Sequence, residues 1–194
     1  MTPLTQNQNA ILTTSWSLGL GHSVTIRPMR PEDVELEIAF IEQLSPESLY
    51  NRLFTGHIEL TPERLESLTC IDFARDMALI ATVTLGGSET LIGVARYVRL
   101  GNTARCEFAI AVADEWQGCG IGTRLMRELI AAAAASGIEA LVGEVLSTNT
   151  AMLAFMRKLG MSVLSHPNDA TVRRVALALD PAPHASTSVE GACV

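Results

Sequence analysis

The chain has 194 residues, of which 48% are hydrophobic and 18% charged, and its formal net charge is -7. That length suits one ordinary domain with a sizeable core, and the apolar content excludes a disordered chain. The acidic balance and the lack of a Lys/Arg block argue against a nucleic-acid groove, and no apolar run reaches the length of a membrane span.

The cysteines Cys70, Cys106, Cys119 and Cys193 are scattered, and the histidines are equally dispersed. No pair has metal-ligand spacing, so we expect no metal, and reduced thiols suited to a cytoplasmic protein. Met1 to Gly21 lacks the basic and then apolar pattern of a secretory signal. Residues 1–22 show no sustained period and read as a flexible N-terminal arm. The domain is expected over 23–180, with a flexible tail over 181–194.

Within the domain, Val24 to Arg27 alternates and reads as a first strand. Arg30-Pro-Glu-Asp33 opens a helix, Ser45-Pro-Glu47 a second ending near Leu53, and Thr61-Pro62 a third with Thr61 as its N-cap. Met77 to Leu85, Leu91 to Leu100 and Ala104 to Val112 are strands separated by Gly-rich turns, which predicts an antiparallel meander. Gly120 to Ser136 has helical spacing of Leu125, Leu129 and Ala133. Ala140 to Leu146 is a strand, Thr150 to Leu159 a helix, and Met161 to Leu164 and Val172 to Leu179 are strands. This order predicts an α/β (mixed α+β) fold with a central, mostly antiparallel sheet of about seven strands and helices on both faces.

The segment from Glu107 to Gly122 carries the chemistry. It is a strand that enters a glycine-rich loop and then a helix. Gly118, Gly120 and Gly122 remove side chains where backbone can approach a ligand, and the first helical amides face one spot that suits a phosphate or pyrophosphate. The loop lacks the Lys-Ser/Thr ending of a P-loop and follows a meander, not the first strand of a βαβ unit. From the triplet alone, a ligand-free turn and a nucleotide binder remain open.

Gln117-Gly-Cys-Gly-Ile-Gly122 resembles the Q/R-x-x-G-x-G/A signature of the GNAT acetyltransferase superfamily. Asn149-Thr-Ala-Met-Leu-Ala-Phe-Met-Arg-Lys-Leu-Gly-Met161 resembles its second signature, in the family's order. Ser45 to Phe54, Ile71 to Leu79, Ile92 to Tyr97 and Gly143 to Leu146 are similar to the catalytic domain of bacterial Pat-type protein lysine acetyltransferases. The resemblance implies the GNAT fold and an N-acetyltransferase that uses acetyl-coenzyme A as co-substrate. Its acceptor would be a protein lysine or a small amine such as a polyamine, amino acid or aminoglycoside, and the protein a monomer or homodimer acting on neither nucleic acid nor membrane.

The resemblance also implies roles. Ile110, Ala111 and Val112 would present strand backbone to the acetyl carbonyl and the pantetheine arm. Gln117, Gly118, Cys119, Gly120, Ile121, Gly122, Thr123 and Arg124 would cradle the pyrophosphate through main-chain amides. Asn149 would hydrogen-bond the pantetheine, with Met152 and Phe155 along its far side. Glu107 would be the general base, and a structural pairing with Arg96 or Arg105 is the alternative. Glu144, in the neighbouring strand, is the second candidate catalytic carboxylate, binding the substrate ammonium or pairing with an Arg. Where many family members carry a thiolate-protonating Tyr this chain has Met156, which cannot donate a proton. That departure leaves a non-catalytic acetyl-coenzyme A sensor as an alternative. Cys119 as an acyl carrier is weighed against a small residue that only tolerates close backbone contact, and the latter is favoured.

Overall fold

The computed structural model describes residues 2–5, 8, 12–19, 21–54 and 58–180. The tail expected over 181–194 lies outside the described residues.

Proline and capping residues place the first helices. A 3-10 turn at Pro31–Asp33 leads into α1 (Val34–Gln43). Helix α2 (Pro46–Leu53) begins where the Ser45 side chain accepts a hydrogen bond from the Ser48 amide, and α3 (Pro62–Thr69) where Thr61 accepts from the Arg64 amide. Both caps satisfy amides that a helix start leaves unpaired. Later come α4 (Ile121–Ala135) and α5 (Thr150–Lys158).

The strands are β1 (Thr14–Gly19), β2 (His22–Pro28), β3 (Met77–Leu85), β4 (Ser88–Arg99), β5 (Arg105–Val112), β6 (Ala140–Leu146), β7 (Ser162–Ser165) and β8 (Val172–Ala178). They form one eight-stranded sheet in the order β1-β2-β3-β4-β5-β6-β8-β7. Every pairing is antiparallel except β5 with β6.

The strand absent from the sequence reading is β1. Thr14–Gly19 falls in the segment read as an arm, yet it pairs antiparallel with β2 from Thr14↔Ile26 onward. Two Ser and a Gly among its six residues weaken its strand signal. Trp16 and Leu18 hold it by packing against the main core.

Alternation along β3 divides its side chains between two cores. Met77, Leu79, Ala81 and Val83 join the larger one, with Leu125, Met126 and Leu129 of α4 and Leu153 and Met156 of α5. Ala78 and Ile80 join the smaller one, with Phe40 and Leu44 around α1. The helices therefore cover both faces, and β3 reads as a continuous apolar run because neither face meets water. Two buried ion pairs tie the helical layer to the sheet. Arg27 holds Asp33 through two 2.7 Å hydrogen bonds, and Arg96 donates to Glu37 at 3.0 Å. No helix among the described residues is long and apolar enough to cross a membrane.

Candidate active site

The site is built on a parting of strands. β5 and β6 pair only at Arg105↔Ala140, Cys106↔Leu141 and Glu107↔Val142. Beyond Glu107 they separate, so the rest of β5 lacks a ladder partner on that side. A backbone left open in this way must satisfy its polar groups elsewhere, which makes it a natural seat for an amide-bearing ligand. Gly143 lies at the parting, and a side chain there would come within 3.0 Å of the Phe108 ring.

A cavity of about 530 Å3 follows the cleft. Its lining includes Ile110, Ala111 and Val112 from β5, Gln117, Gly118, Gly120, Gly122 and Thr123 from the loop and α4, and Asn149, Met152 and Phe155 from α5. The structure thus brings eleven of the expected cofactor residues to one cavity. Cys119, Ile121 and Arg124 do not line it. The Cys119 thiol faces the Gln117 carbonyl of its own loop at 3.6 Å, and the Ile121 side chain is fully buried in the core.

The loop is shaped for backbone contact. Gly118 and Gly120 have φ of 75° and 85°, conformations that a side chain would strain. Gly120 is the N-cap of α4 and has no side chain to occupy the helix start. The Arg124 amide donates to the Gly120 carbonyl at 3.1 Å as the first bond of the helix. The amides of Ile121, Gly122 and Thr123 precede that bond, so the helix itself gives them no acceptor. Arg124 is therefore corrected as an amide donor to ligand, because its N–H is spent inside the helix. Its guanidinium instead lies 4.4 Å over the Trp16 ring. Asn149 caps α5 by accepting from the Met152 amide at 3.0 Å, which leaves its side-chain NH2 without a protein partner among the described residues.

The two carboxylates meet at a second, smaller cavity of about 70 Å3, lined also by Arg52, Phe54, Phe108, Val145 and Met156. Glu107 pairs with Val142, so the two share a face, and Glu144 lies two residues further along that face. The structural pairing weighed for Glu107 is not formed. Arg96 is taken by Glu37 and the Leu68 carbonyl, and neither Arg96 nor Arg105 is in a salt bridge with Glu107. Glu144 faces His166 Nε2 at 3.3 Å, not an arginine, and His166 Nδ1 accepts from the Asn168 amide. Met156 is fully buried.

The sequence model of the Acetyltransferase (GNAT) family matches residues 45–161. The chain belongs to the GNAT acetyltransferase family. Acetyltransferase PA5475 of Pseudomonas aeruginosa is 37% identical over 164 residues, covering 83% of this chain and 88% of that protein. Acetyltransferase Pat of Mycolicibacterium smegmatis is 37% identical over 136 residues, covering 70% of this chain but only 40% of that protein's length. Among solved structures, the GNAT domain of S. lividans PAT superposes with a TM-score of 0.77 at 29% identity, covering 88% of this chain and 98% of that one.

As a GNAT enzyme, the chain is an acetyl-coenzyme A-dependent N-acetyltransferase. Its cleft fits that co-substrate, with open strand backbone along β5, unbonded helix amides at the glycine loop and a free Asn149 amide between them. No cluster of metal-ligating side chains occurs among the described residues.

Two features of this GNAT site escaped the sequence. Asp114 accepts hydrogen bonds from the Ser45 amide and hydroxyl (3.0 and 2.8 Å) and from the Ser48 hydroxyl (2.7 Å). Burial would raise its carboxyl, but these bonds outweigh that and hold it below its ordinary 3.8. Arg52 is the second, and it lines both cavities. Neither sits in a motif.

Proposed function

We propose that this enzyme acetylates lysine side chains of proteins, by direct attack of the amine with Glu107 as general base. One observation carries the reading. Glu107 lines the small cavity where β5 and β6 part, in no salt bridge among the described residues, on the same strand as Ile110 to Val112. A carboxylate so placed can accept a proton from an amine entering opposite the cofactor cleft. The similarity to Pat, over 136 residues, supports a lysine acceptor.

A lysine amine has a solution pKa near ~10.4 and attacks only when neutral. Glu107 takes its proton, a C–N bond forms at the thioester carbon, and the C–S bond breaks to release a thiolate. Met156 offers no proton, so water or the proton lost by the amine serves the sulfur. Glu144 holds the incoming ammonium from the second wall. The amides from Gly118 to Thr123 bind the pyrophosphate with Gln117 at the start of the loop, Asn149 donates to the pantetheine, and Met152 and Phe155 cover it. Retention of an accessible Glu107 favours a catalyst over a sensor.

An acceptor screen with radiolabelled acetyl-coenzyme A tests the reading. Purified proteins should become labelled on lysine. Turnover of polyamines or aminoglycosides with all proteins unlabelled would overturn it.

A further inference from the structure

The acceptor side of the cleft holds a cation that the transferase chemistry does not use. Arg52 sits in the last turn of α2, which ends at Phe54 in a left-handed cap with φ 56°. It forms no salt bridge among the described residues. The half-buried guanidinium is lowered to about 10, first by loss of hydration and then by Arg96, with Glu37 and Glu107 acting the other way.

Arg52 lines both cavities, and its neighbours in the small one set it apart from the phosphate-facing loop. Ser48, one helical turn earlier, is the residue of α2 that meets the loop, through Asp114 and Gln117. Arg52 lies a turn further from the loop and joins Glu107 and Glu144 around the small cavity, which no residue from 117 to 124 lines. An unpaired cation beside the entry point of an ammonium repels it. Glu107 and Glu144 on the same cavity counter that repulsion, and a guanidinium fork with no salt bridge among the described residues matches a carboxylate brought by the acceptor.

We propose that Arg52 binds a carboxylate carried by the acceptor beside its amine, so that the enzyme selects lysines with an acidic neighbour over bare amines. This rests on the transferase reading above.

The test uses the full chain, acetyl-coenzyme A and blocked peptides in which one lysine is flanked by two Glu or by two Gln, with cadaverine as the bare amine. Wild type should favour the Glu peptide by ~10- to 100-fold in kcat/KM, the range expected of one charged hydrogen-bonded pair. Arg52→Gln should raise KM for the Glu peptide until that preference vanishes, and should improve cadaverine several-fold, roughly, by removing the repulsion. Arg52→Lys should keep part of the preference. A merely structural arginine would lower all three substrates together, and that result overturns the inference, as does a wild type indifferent to flanking charge. Succinyl-coenzyme A separates the other source of a carboxylate. If Arg52→Gln abolishes succinyl transfer but leaves the peptide preference intact, the group bound belongs to the acyl donor and the inference fails. Turnover without discrimination sinks this inference alone, whereas no turnover on any amine overturns the transferase reading with it.

Discussion

The Ser48 hydroxyl donates to the Asp114 carboxylate at 2.7 Å, across 66 residues of sequence. With the two bonds from Ser45, it ties the start of α2 to the turn just before the glycine loop. These bonds therefore link the helix that carries Arg52 to the turn that enters the cofactor loop.

Asp114→Ala should loosen that link. The carboxylate is largely exposed, so solvent screening keeps the loss near ~1 kcal/mol, or about 2–4 °C in Tm. The Asp114 carboxyl is depressed, so its contribution is full above its ordinary 3.8 and is lost as pH falls through the lower folded value. Thermal melts of the two proteins should therefore converge below pH 3.8. A gap that persists in strong acid would assign the stability to something other than this charge.

Glu107→Gln should cut kcat by about 10²-fold or more while leaving the KM for acetyl-coenzyme A close to wild type. Steady-state kinetics with both substrates varied would show this. Unchanged kcat would remove Glu107 from the chemistry.

Glu144→Gln should act differently, because Glu144 stands on the facing wall and is paired with His166. We expect acceptor KM to rise by roughly 5- to 10-fold with a smaller change in kcat, as for an exposed charge that positions an ammonium. A kcat loss equal to that of Glu107→Gln would make the two carboxylates partners in proton transfer.

Gly120→Ala meets no neighbouring atom, so its cost is conformational, from φ 85° at the cap of α4. A left-handed alanine costs about 1–2 kcal/mol and disturbs the free amides of the loop. Coenzyme A affinity, read by calorimetry, should weaken by about tenfold. An unaltered Kd would separate loop conformation from cofactor binding.

Glu37→Leu should destabilise the fold by about 3–5 kcal/mol, because it strands the buried Arg96 guanidinium. Adding Arg96→Met should recover most of that loss in urea unfolding. A double variant as unstable as the single would show that the arginine was not the source of the cost.

The local elements were legible because their causes are local. Ser45 and Thr61 cap the helices that follow them, Gly86-Gly87 turns a hairpin, and the glycines between β5 and α4 mark a loop of left-handed backbone. Glu107 and Asn149 were nameable because each stands at a fixed offset within a motif. Thr14–Gly19 was not legible, since its strand exists only through pairing with β2 and the packing of Trp16 and Leu18. Nor was the insertion of β8 between β6 and β7, which no turn signal encodes.

By itself, then, the sequence determined the order of strands and helices from β2 onward, the glycine loop and the carboxylate on the strand before it. Only the tertiary structure decided that β5 and β6 part just after Glu107, that Arg96 is spent on Glu37 while Arg52 has no salt bridge among the described residues, and that Asp114 ties α2 to the loop. Backbone propensity, caps and periodicity act over a few residues, but the partner of a charge is whichever group the folded sheet brings within reach. Here those partners lie 59 residues apart for Arg96 and Glu37 and 66 for Ser48 and Asp114.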